Sequence, residues 1–336
     1  MEPVRLVIPS KGELEEPTLA FLAEAGLAVD RLSPRQYVAR VGAVEGLEVL
    51  FQRAWDIPEK VASGAADLGI TGYDVVAEQA ADTPDLVVAM PNLGYGRADL
   101  VVAVPDVWVD VRSVRDLAEV AVEFRARGQV LRVVTRYPRL TQRFLLANGI
   151  GHFVLVGAQG AVEAAPAIGY ADIIADLTSS GTTLRENRLK TIAGGTILQT
   201  EACLIANRRR LRADPDRLEV VRRLMELIEA RLRAAGFYSV TGNVPGDSAE
   251  TVAQAVISRP ELSGIEGPTV SPVYSKSGRV NGWYAVTVVV PVRQMQAAVD
   301  HLRRLGGSGI TVVPVKYVFE PACEAFGRLV KTLYQD

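Results

Sequence analysis

The first two hundred residues alternate short apolar runs with segments of helical period, and this order restricts the possible folds more than any other feature. Strand–helix–strand order predicts a mainly parallel sheet with helices on its faces. The predicted strands form two blocks: Val4–Pro9, Leu47–Phe51, Leu68–Ile70 and Leu86–Met90, then Asp99–Val104, Leu131–Thr135, Phe153–Val156, Asp172–Asp176 and Lys190–Ile192. We therefore expect two α/β lobes with a cleft between them, where the carboxyl ends of strands bind ligands.

The last third of the chain predicts a separate small domain. A helix over Pro215–Ala235 carries apolar side chains at three- and four-residue spacing, and Gly236 ends it. Residues 237–320 then read as strand–helix–strand–strand–helix–strand, the order of a ferredoxin-like α+β domain. The predicted division is 1–95 with 186–210 as the first lobe, 96–185 as the second lobe, 211–236 as a linking helix, 237–320 as the ferredoxin-like domain and 321–336 as a C-terminal helix.

Charge and composition exclude several classes of function. The formal net charge is −2, so the chain has no overall basic field for nucleic acid. No apolar stretch approaches the roughly 18 residues of a membrane helix, and the N-terminus lacks the apolar core of a signal peptide. We therefore expect a cytoplasmic protein that binds no membrane. Two histidines, His152 and His301, exclude a histidine-rich metal site, and two cysteines, Cys203 and Cys323, form no disulfide framework.

The stretch from Asp172 to Leu184 is where we expect a substrate to bind. An apolar strand with two carboxylates, Asp172 and Asp176, runs into a loop of small hydroxyl residues around Gly181. Converging N–H groups and hydroxyls suit a phosphate monoester, and a carboxylate at the strand end suits the hydroxyls of a ribose. The alternative is that the hydroxyl residues only cap a helix and a turn. The predicted phosphate loop consists of Thr178, Ser179, Ser180, Gly181, Thr182 and Thr183.

The same stretch carries a resemblance to a known family. The run Glu163–Leu184 (EAAPAIGYADIIADLTSSGTTL) resembles the signature of the ATP phosphoribosyltransferase family. Lys11–Leu14, Asp56–Pro58, Gly64–Asp74 and Thr135–Pro138 resemble further stretches of that family, in the same order. The resemblance covers the first two hundred residues. It implies a two-lobed core of the periplasmic-binding-protein type, in agreement with the two predicted lobes.

The resemblance implies a reaction between ATP and phosphoribosyl pyrophosphate (PRPP), the first step of histidine biosynthesis. Adenine N1 would displace pyrophosphate from C1 of the ribose and form phosphoribosyl-ATP. Catalysis would then consist of positioning and electrostatics without a covalent nucleophile. The implied cofactor is Mg²⁺, carried mainly by the pyrophosphate, and no protein ligands are assigned to it.

The family's roles can be carried onto the matching positions of this chain. The implied catalytic residues are Asp176, Arg53 and Lys11. The implied PRPP contacts are the phosphate loop with Asp172 and Asp176, and the implied ATP contacts are Lys11, Arg53, Asp74, Tyr137 and Glu163. Without the resemblance, the two cations read equally well as surface residues, Asp74 as a helix-start residue and Tyr137 as part of a turn.

The C-terminal domain resembles the regulatory domain of the family's long form, which is similar to ACT domains. The segment Gly267–Pro272 carries this resemblance. It implies feedback inhibition by histidine, bound at domain interfaces, and a homo-oligomer that is a hexamer of dimers. The candidate histidine contacts are Asn243, Thr269 and Ser271. Some long forms carry an aspartate where this chain has Asn243, and an amide cannot form an ion pair with a ligand ammonium group.

A second hypothesis is a non-catalytic protein that binds a small ligand, or regulates a partner, on the same two-lobed fold. An exported binding protein needs a signal segment, whereas a cytosolic regulatory subunit does not. Such a subunit has little use for an acidic strand that leads into a phosphate loop. The sequence therefore favours the enzyme.

Overall fold

The computed structural model describes residues 2–31, 33, 36–80, 83–158, 162–275 and 278–335. The contacts within the chain divide it into two compact units. We call them the large unit (Met1–Met225 with Cys323–Asp336) and the small unit (Glu226–Ala322). Among the described residues, no helix combines the length and the apolar composition needed to cross a bilayer.

The described part of the large unit contains two sheets. Its strands are β1 (Val4–Pro9), β2 (Val29–Asp30), β3 (Val38–Val41), β4 (Leu47–Gln52), β5 (Leu68–Gly72), β6 (Leu86–Met90), β7 (Ala98–Pro105), β8 (Leu131–Thr135), β9 (Phe153–Gly157), β10 (Ile173–Thr178), β11 (Leu189–Thr200) and β12 (Ala202–Asn207). Its helices are α1 (Glu15–Glu24), α2 (Ile57–Ala62), α3 (Tyr73–Gln79), α4 (Val114–Ala126), α5 (Pro138–Ala147), α6 (Thr182–Glu186) and α7 (Arg208–Ala213). Helix α8 (Pro215–Ala234) continues from the large unit into the small one.

The first lobe is built on a seven-stranded sheet with the order β2-β3-β4-β1-β5-β12-β6. Strand β1 pairs in parallel with β4 and with β5, and it is almost wholly apolar and buried, as expected for a strand covered on both faces. Pro9 lies opposite Gln52 in the register, so β1 and β4 end side by side. Lys11 and Arg53 follow these two strand ends and therefore lie at the same edge of the sheet.

The second lobe is built on a five-stranded sheet with the order β11-β7-β10-β8-β9. Strands β8, β9 and β10 are parallel to one another, whereas β7 and β11 are antiparallel to their neighbours. Ala175 of β10 lies opposite Thr135 of β8. The residues that follow these two positions, Asp176 and Arg136, therefore lie next to each other at the carboxyl edge.

The chain crosses between the lobes twice, from β6 to β7 and from β11 to β12. The crossings lie side by side, because the N–H of Ala202 donates to the carbonyl of Tyr95 at 3.0 Å and the N–H of Leu93 donates to the carbonyl of Ala202 at 3.0 Å. The side chains of Arg97 and Glu201 also form an ion pair there, at 3.0 Å. The prediction of a two-lobed α/β core is confirmed.

One boundary of the predicted division is wrong. Residues 186–210 are predicted to belong to the first lobe, but β11 pairs with β7 in the sheet of the second lobe. The apolar pattern stops at Ile192 because Gly194, with a φ of +73°, and Gly195 interrupt it. The register shifts between Thr191 and Thr196, and the strand then continues to Thr200. Of the residues 186–210, β12 and the start of α7 belong to the first lobe.

The small unit is a ferredoxin-like domain, as predicted. Its elements are β13 (Phe237–Pro245), α9 (Ala249–Ile257), β14 (Thr269–Ser275), β15 (Gly278–Pro291), α10 (Met295–Arg304) and β16 (Ser308–Pro314). The strand order β14-β15-β13-β16 is antiparallel throughout. Alternate residues of β13 and β15, among them Val240, Val244, Val286 and Val288, are buried in one core with apolar residues of α9 and α10.

The last helix, α11 (Glu324–Tyr334), belongs to the large unit. Its residues Ala325, Leu329 and Leu333 recur every four positions and are buried, and the helix packs on β6 and α7. The guanidinium of Arg212 lies over the ring of Tyr334, 5.4 Å from its centroid. The chain therefore leaves the large unit through α8 and returns to it after Ala322.

Candidate active site

The carboxyl edges of the two lobes meet at helices α3 and α5. The hydroxyl of Tyr137, the residue before α5, donates to Oδ2 of Asp74 in α3 at 2.7 Å. The ring of Trp55, from the first lobe, contacts the ring of Tyr137 edge-on with centroids 5.5 Å apart. Trp55 and Asp74 of the first lobe and Tyr137 of the second lobe therefore lie together.

The phosphate loop is exposed and follows the carboxyl end of β10. Gly181 adopts a left-handed φ of +69°, and its N–H donates to Oγ1 of Thr178 at 2.9 Å, which turns the chain into α6. The hydroxyl of Ser180 donates to Oγ1 of Thr182 at 3.0 Å. The side chains of Ser179 and Thr183 are likewise exposed. The loop thus presents several short hydroxyl side chains to solvent beside Asp176.

Asp176 is buried at the base of this loop. Its Oδ2 lies 3.6 Å from Nη2 of Arg136, and its Oδ1 accepts a hydrogen bond from the N–H of Leu177 at 2.9 Å. Burial raises the pKa of Asp176 above its ordinary value, while the positive charge of Arg136 and the N–H of Leu177 oppose that shift. The negative charge of Glu163, half-buried in the turn at 162–164, raises the pKa of Asp176 further.

The structure places Asp172, a predicted PRPP contact, away from the phosphate loop. Asp172 precedes β10 and lies at the strand end remote from the loop, about 13 Å from Asp176 at 3.3 Å per residue. Its carboxylate accepts hydrogen bonds from Nη2 of Arg132 at 2.8 Å, from Nε at 3.2 Å and from the N–H of the same residue at 2.8 Å. Asp172 therefore joins β8 to β10.

Asp74 and Tyr137 are bonded to each other and buried. The other carboxylate oxygen of Asp74 accepts a hydrogen bond from the hydroxyl of Thr200 at 2.9 Å. Burial and the charge of Asp74 both raise the pKa of Tyr137, so its hydroxyl stays protonated and donates. In this conformation the hydrogen bond between Asp74 and Tyr137 joins the two lobes.

Three residues near the site were missed by the sequence analysis. Arg136 lies within the quoted stretch Thr135–Pro138, but its partner is forty positions away in the chain. Arg185 holds the phosphate loop from α6, with Nη1 donating to the carbonyl of Ser180 at 3.2 Å and Nη2 to Oγ1 of Thr182 at 3.1 Å. Glu78 follows Asp74 by one helical turn and is buried against α5. Of the three, only Glu78 has a signal in the sequence: it lies one helical turn after Asp74 and therefore on the same face of α3.

The described site residues do not form a complete set of protein ligands for a metal ion. Among the described residues, no group of three or more histidine, cysteine, aspartate or glutamate side chains is placed to hold an ion. Mg²⁺ commonly binds one or two protein carboxylates together with substrate phosphates, and Asp176, beside the phosphate loop, fits that pattern.

The candidate histidine contacts lie on one face of the sheet in the small unit. Ser271 of β14 is in register with Ala285 of β15, which is in register with Asn243 of β13. Thr269 occupies the equivalent position two residues earlier on β14. Registered residues project from the same face, and Val240 and Val244, with the opposite parity, are buried against the helices. The three candidates therefore share the face opposite α9 and α10.

Comparisons with known proteins agree with this geometry. A family model described as "ATP phosphoribosyltransferase" (HisG) matches residues 53–230, and one described as "HisG, C-terminal domain" matches residues 234–317. The chain belongs to the ATP phosphoribosyltransferase family. As a member it is an enzyme, a transferase of the first step of histidine biosynthesis, and it carries the C-terminal domain of the long form.

Three relatives illustrate the extent of the similarity. The chain is 40% identical over 334 residues to "ATP phosphoribosyltransferase 1, chloroplastic" of Arabidopsis thaliana, covering 98% of this chain and 81% of the relative. It is 36% identical to "ATP phosphoribosyltransferase" of Rhodopseudomonas palustris strain BisB18, covering 99% of each. A solved structure, the "ATP phosphoribosyl transferase (HisG:HisZ) complex from Thermotoga maritima", is 25% identical with a TM-score of 0.50, covering 67% of this chain and 98% of that chain.

Proposed function

We propose that the large unit transfers the 5-phosphoribosyl group of PRPP to N1 of ATP and releases pyrophosphate. The observation that carries this proposal is the exposed hydroxyl loop at the carboxyl end of β10, directly beside the buried carboxylate of Asp176. A sugar phosphate needs both features, a cluster of donors for its phosphate and an acceptor for its ribose hydroxyls.

The proposed binding mode follows from these positions. Hydroxyls and N–H groups between Thr178 and Thr183 hold the 5-phosphate of PRPP. Asp176 accepts hydrogen bonds from the ribose hydroxyls. Its negative charge, with that of Glu163, stabilises the positive charge that develops at C1 as the bond to pyrophosphate breaks. Adenine N1 then attacks C1, and no protein nucleophile is required.

Lys11 and Arg53 are the proposed cations for the pyrophosphate and triphosphate groups. Both are exposed and follow adjacent strands of the first lobe. Arg53 also lies two positions before Trp55, which contacts the second lobe. Mg²⁺ bound with the substrate phosphates supplies further neutralisation of the leaving pyrophosphate. A role for Asp74 and Tyr137 in ATP binding requires that their mutual hydrogen bond open.

Histidine is the proposed inhibitor, and the face that carries Asn243, Thr269 and Ser271 is its proposed binding surface. The polar side chains on this face, beside a paired Thr241 and Thr287 whose hydroxyls lie 2.9 Å apart, support a polar ligand there.

We also propose that the enzyme acts as a hexamer of dimers, which sedimentation velocity can test.

The transfer is tested by mixing the protein with ATP, PRPP and Mg²⁺ and following the ultraviolet absorbance change of the alkylated adenine. We expect a change that requires both substrates and that chelation of Mg²⁺ abolishes. Tight binding of histidine without any PRPP-dependent change would instead support a non-catalytic regulatory protein.

A further inference from the structure

Helix α5 lacks a cap from its own lobe. Tyr137 occupies the N-cap position, and its side chain makes no capping hydrogen bond. The first helical residue is Pro138, which has no N–H, and the N–H of Tyr137 donates to Oγ1 of Thr135 at 2.9 Å. The N–H groups of Arg139 and Leu140 remain to be satisfied, since the first turn of a helix has no internal acceptors for them.

Glu78, from the other lobe, accepts both of these hydrogen bonds. Its Oε1 accepts from the N–H of Arg139 at 2.8 Å, and its Oε2 accepts from the N–H of Leu140 at 3.0 Å. Only 4% of Glu78 is exposed. A carboxylate at the N-terminus of a helix is stabilised by the helix dipole as well as by the two hydrogen bonds, and burial strengthens both effects.

This contact links the segments that carry the proposed catalytic groups of both lobes. On one side, Gln79, the neighbour of Glu78, donates to the carbonyl of Trp55 at 2.9 Å, two residues after Arg53. On the other side, Arg136 lies two residues before the start of α5 and pairs with Asp176. A displacement of α5 relative to α3 would therefore move Arg136 away from the segment of Arg53.

We infer that Glu78 is a positioning residue, which fixes the angle between the two lobes by capping α5 from the first lobe. The inference rests on the proposed phosphoribosyl transfer and deepens it. Glu78 is buried, and both of its carboxylate oxygens are bonded to α5. It sets the distance between the cations of the first lobe and the phosphate loop and Asp176 of the second.

The experiment compares wild type, Glu78→Ala and Glu78→Gln with the control Glu59→Gln, which removes the same charge from an exposed position in the first lobe. Misplacement by about 1 Å costs on the order of 100-fold in rate, so we expect kcat/KM for PRPP to fall by roughly that factor in Glu78→Ala. Glu78→Gln keeps one acceptor and should lose less. Glu78→Asp keeps both acceptors on a shorter stem and should recover part of the activity lost in Glu78→Ala.

Hydrogen exchange provides a readout that does not depend on catalysis. Exchange in a peptide covering residues 136–147 should accelerate in Glu78→Ala and Glu78→Gln, while a peptide covering 114–126 in the same lobe should exchange as in wild type. Unchanged exchange at 136–147, or kcat/KM equal to that of Glu59→Gln, in the folded Glu78→Gln variant would overturn the inference. Absence of turnover in wild type would overturn the proposed function instead.

Discussion

Asp172 and Asp176 differ in their surroundings although they belong to the same segment of chain. Asp172 is paired with Arg132 at the start of β10, whereas Asp176 is buried beside the phosphate loop at its end. The sequence shows two carboxylates four positions apart, which project from the same face of the strand. It does not show which end of the strand faces the cleft. That information depends on Arg132 and Arg136, whose positions are set by the pairing of β8 with β10.

The two aspartates provide a matched pair of substitutions. Asp176→Asn should weaken PRPP binding by about 1.5–3 kcal/mol, the range for a hydrogen bond to a charged group, as measured by titration calorimetry. Asp172→Asn should leave that affinity unchanged and lower the unfolding temperature. An equal loss of affinity in both variants would contradict the assignment of Asp176 to the ribose.

The stability of Asp176→Asn is expected not to fall. Burial raises the pKa of Asp176 in the folded protein, so the folded state holds this proton more tightly than the unfolded state. The free energy of unfolding therefore includes the full contribution of the protonated carboxyl at low pH, and it loses that contribution as the pH rises through the raised pKa. At neutral pH asparagine removes this penalty. Calorimetric unfolding at pH 7 and at pH 4 tests the sign, because the advantage of asparagine should shrink at the lower pH.

The pH dependence of activity should respond to Arg136. Ionised Asp176 is the proposed ribose acceptor, so kcat/KM for PRPP should decline as the pH falls towards its raised pKa. The positive charge of Arg136 lowers that pKa, and Arg136→Gln should therefore move the acidic limb of the profile to higher pH. Arg115→Gln, an exposed change in the same lobe, should leave the limb in place.

Asn243 offers a test of the proposed histidine site. Asn243→Asp supplies a carboxylate that can pair with the ammonium group of histidine, and it should lower the dissociation constant of histidine. Titration calorimetry measures this change directly. Weaker binding in the variant would place histidine elsewhere or give Asn243 a donor role.

At the scale of single elements, a buried ion pair fixes the linking helix to the first lobe. Asp67 is fully buried and accepts hydrogen bonds from Nε of Arg210 at 2.7 Å, from Nη1 of Arg217 at 2.9 Å and from the N–H of Arg5 at 2.8 Å. Arg217 belongs to the first turn of α8. Asp67 thus joins β1, α7 and α8.

Asp67→Ala should destabilise the large unit by about 3–5 kcal/mol, because two guanidinium groups lose their buried partner. The midpoint of denaturant unfolding, followed for the large unit, measures this loss. Glu219→Gln, which breaks an exposed pair with Arg222 and Arg223 on α8, should produce little change. A midpoint for Asp67→Ala close to that of Glu219→Gln would contradict this role.

The strands that the sequence analysis identified are those with a local apolar pattern, such as β1, β5 and β10. It missed β12, a fully buried run from Ala202 to Asn207 that lies between β5 and β6 and antiparallel to both. Its insertion depends on a return of the chain from the second lobe, which no local pattern records. The loop and Asp176 were likewise predictable from one continuous segment, whereas the contacts of Asp74, Glu78 and Tyr137 join positions about sixty residues apart.

For the whole molecule, the return of the chain through α11 determines which truncations can be interpreted. A deletion of all residues after about 235 removes α11 together with the small unit, although α11 packs within the large unit. Loss of histidine inhibition in such a variant would therefore not show where histidine binds. Point substitutions on the sheet face of the small unit avoid this difficulty.

The contribution of α11 can be measured separately. Leu333 is fully buried, so Leu333→Ala should destabilise the large unit by about 2–5 kcal/mol. Arg328→Ala, on the exposed side of the same helix, should have a small effect. Equal unfolding midpoints for the two variants would show that α11 does not stabilise the large unit.

The paired crossings between the lobes have a mechanical consequence. Two strand connections that are hydrogen-bonded to each other at Tyr95 and Ala202 act as a single pivot, so twisting or sliding of one lobe against the other is resisted. Rotation about one axis through these connections remains the least restrained motion. Helix α3 begins beside this pivot, because the N–H of Tyr73 donates to the carbonyl of Glu201 at 3.0 Å and the hydroxyl of Thr200 donates to Asp74 at 2.9 Å, so the contact of α3 with α5 restrains the rotation close to its axis.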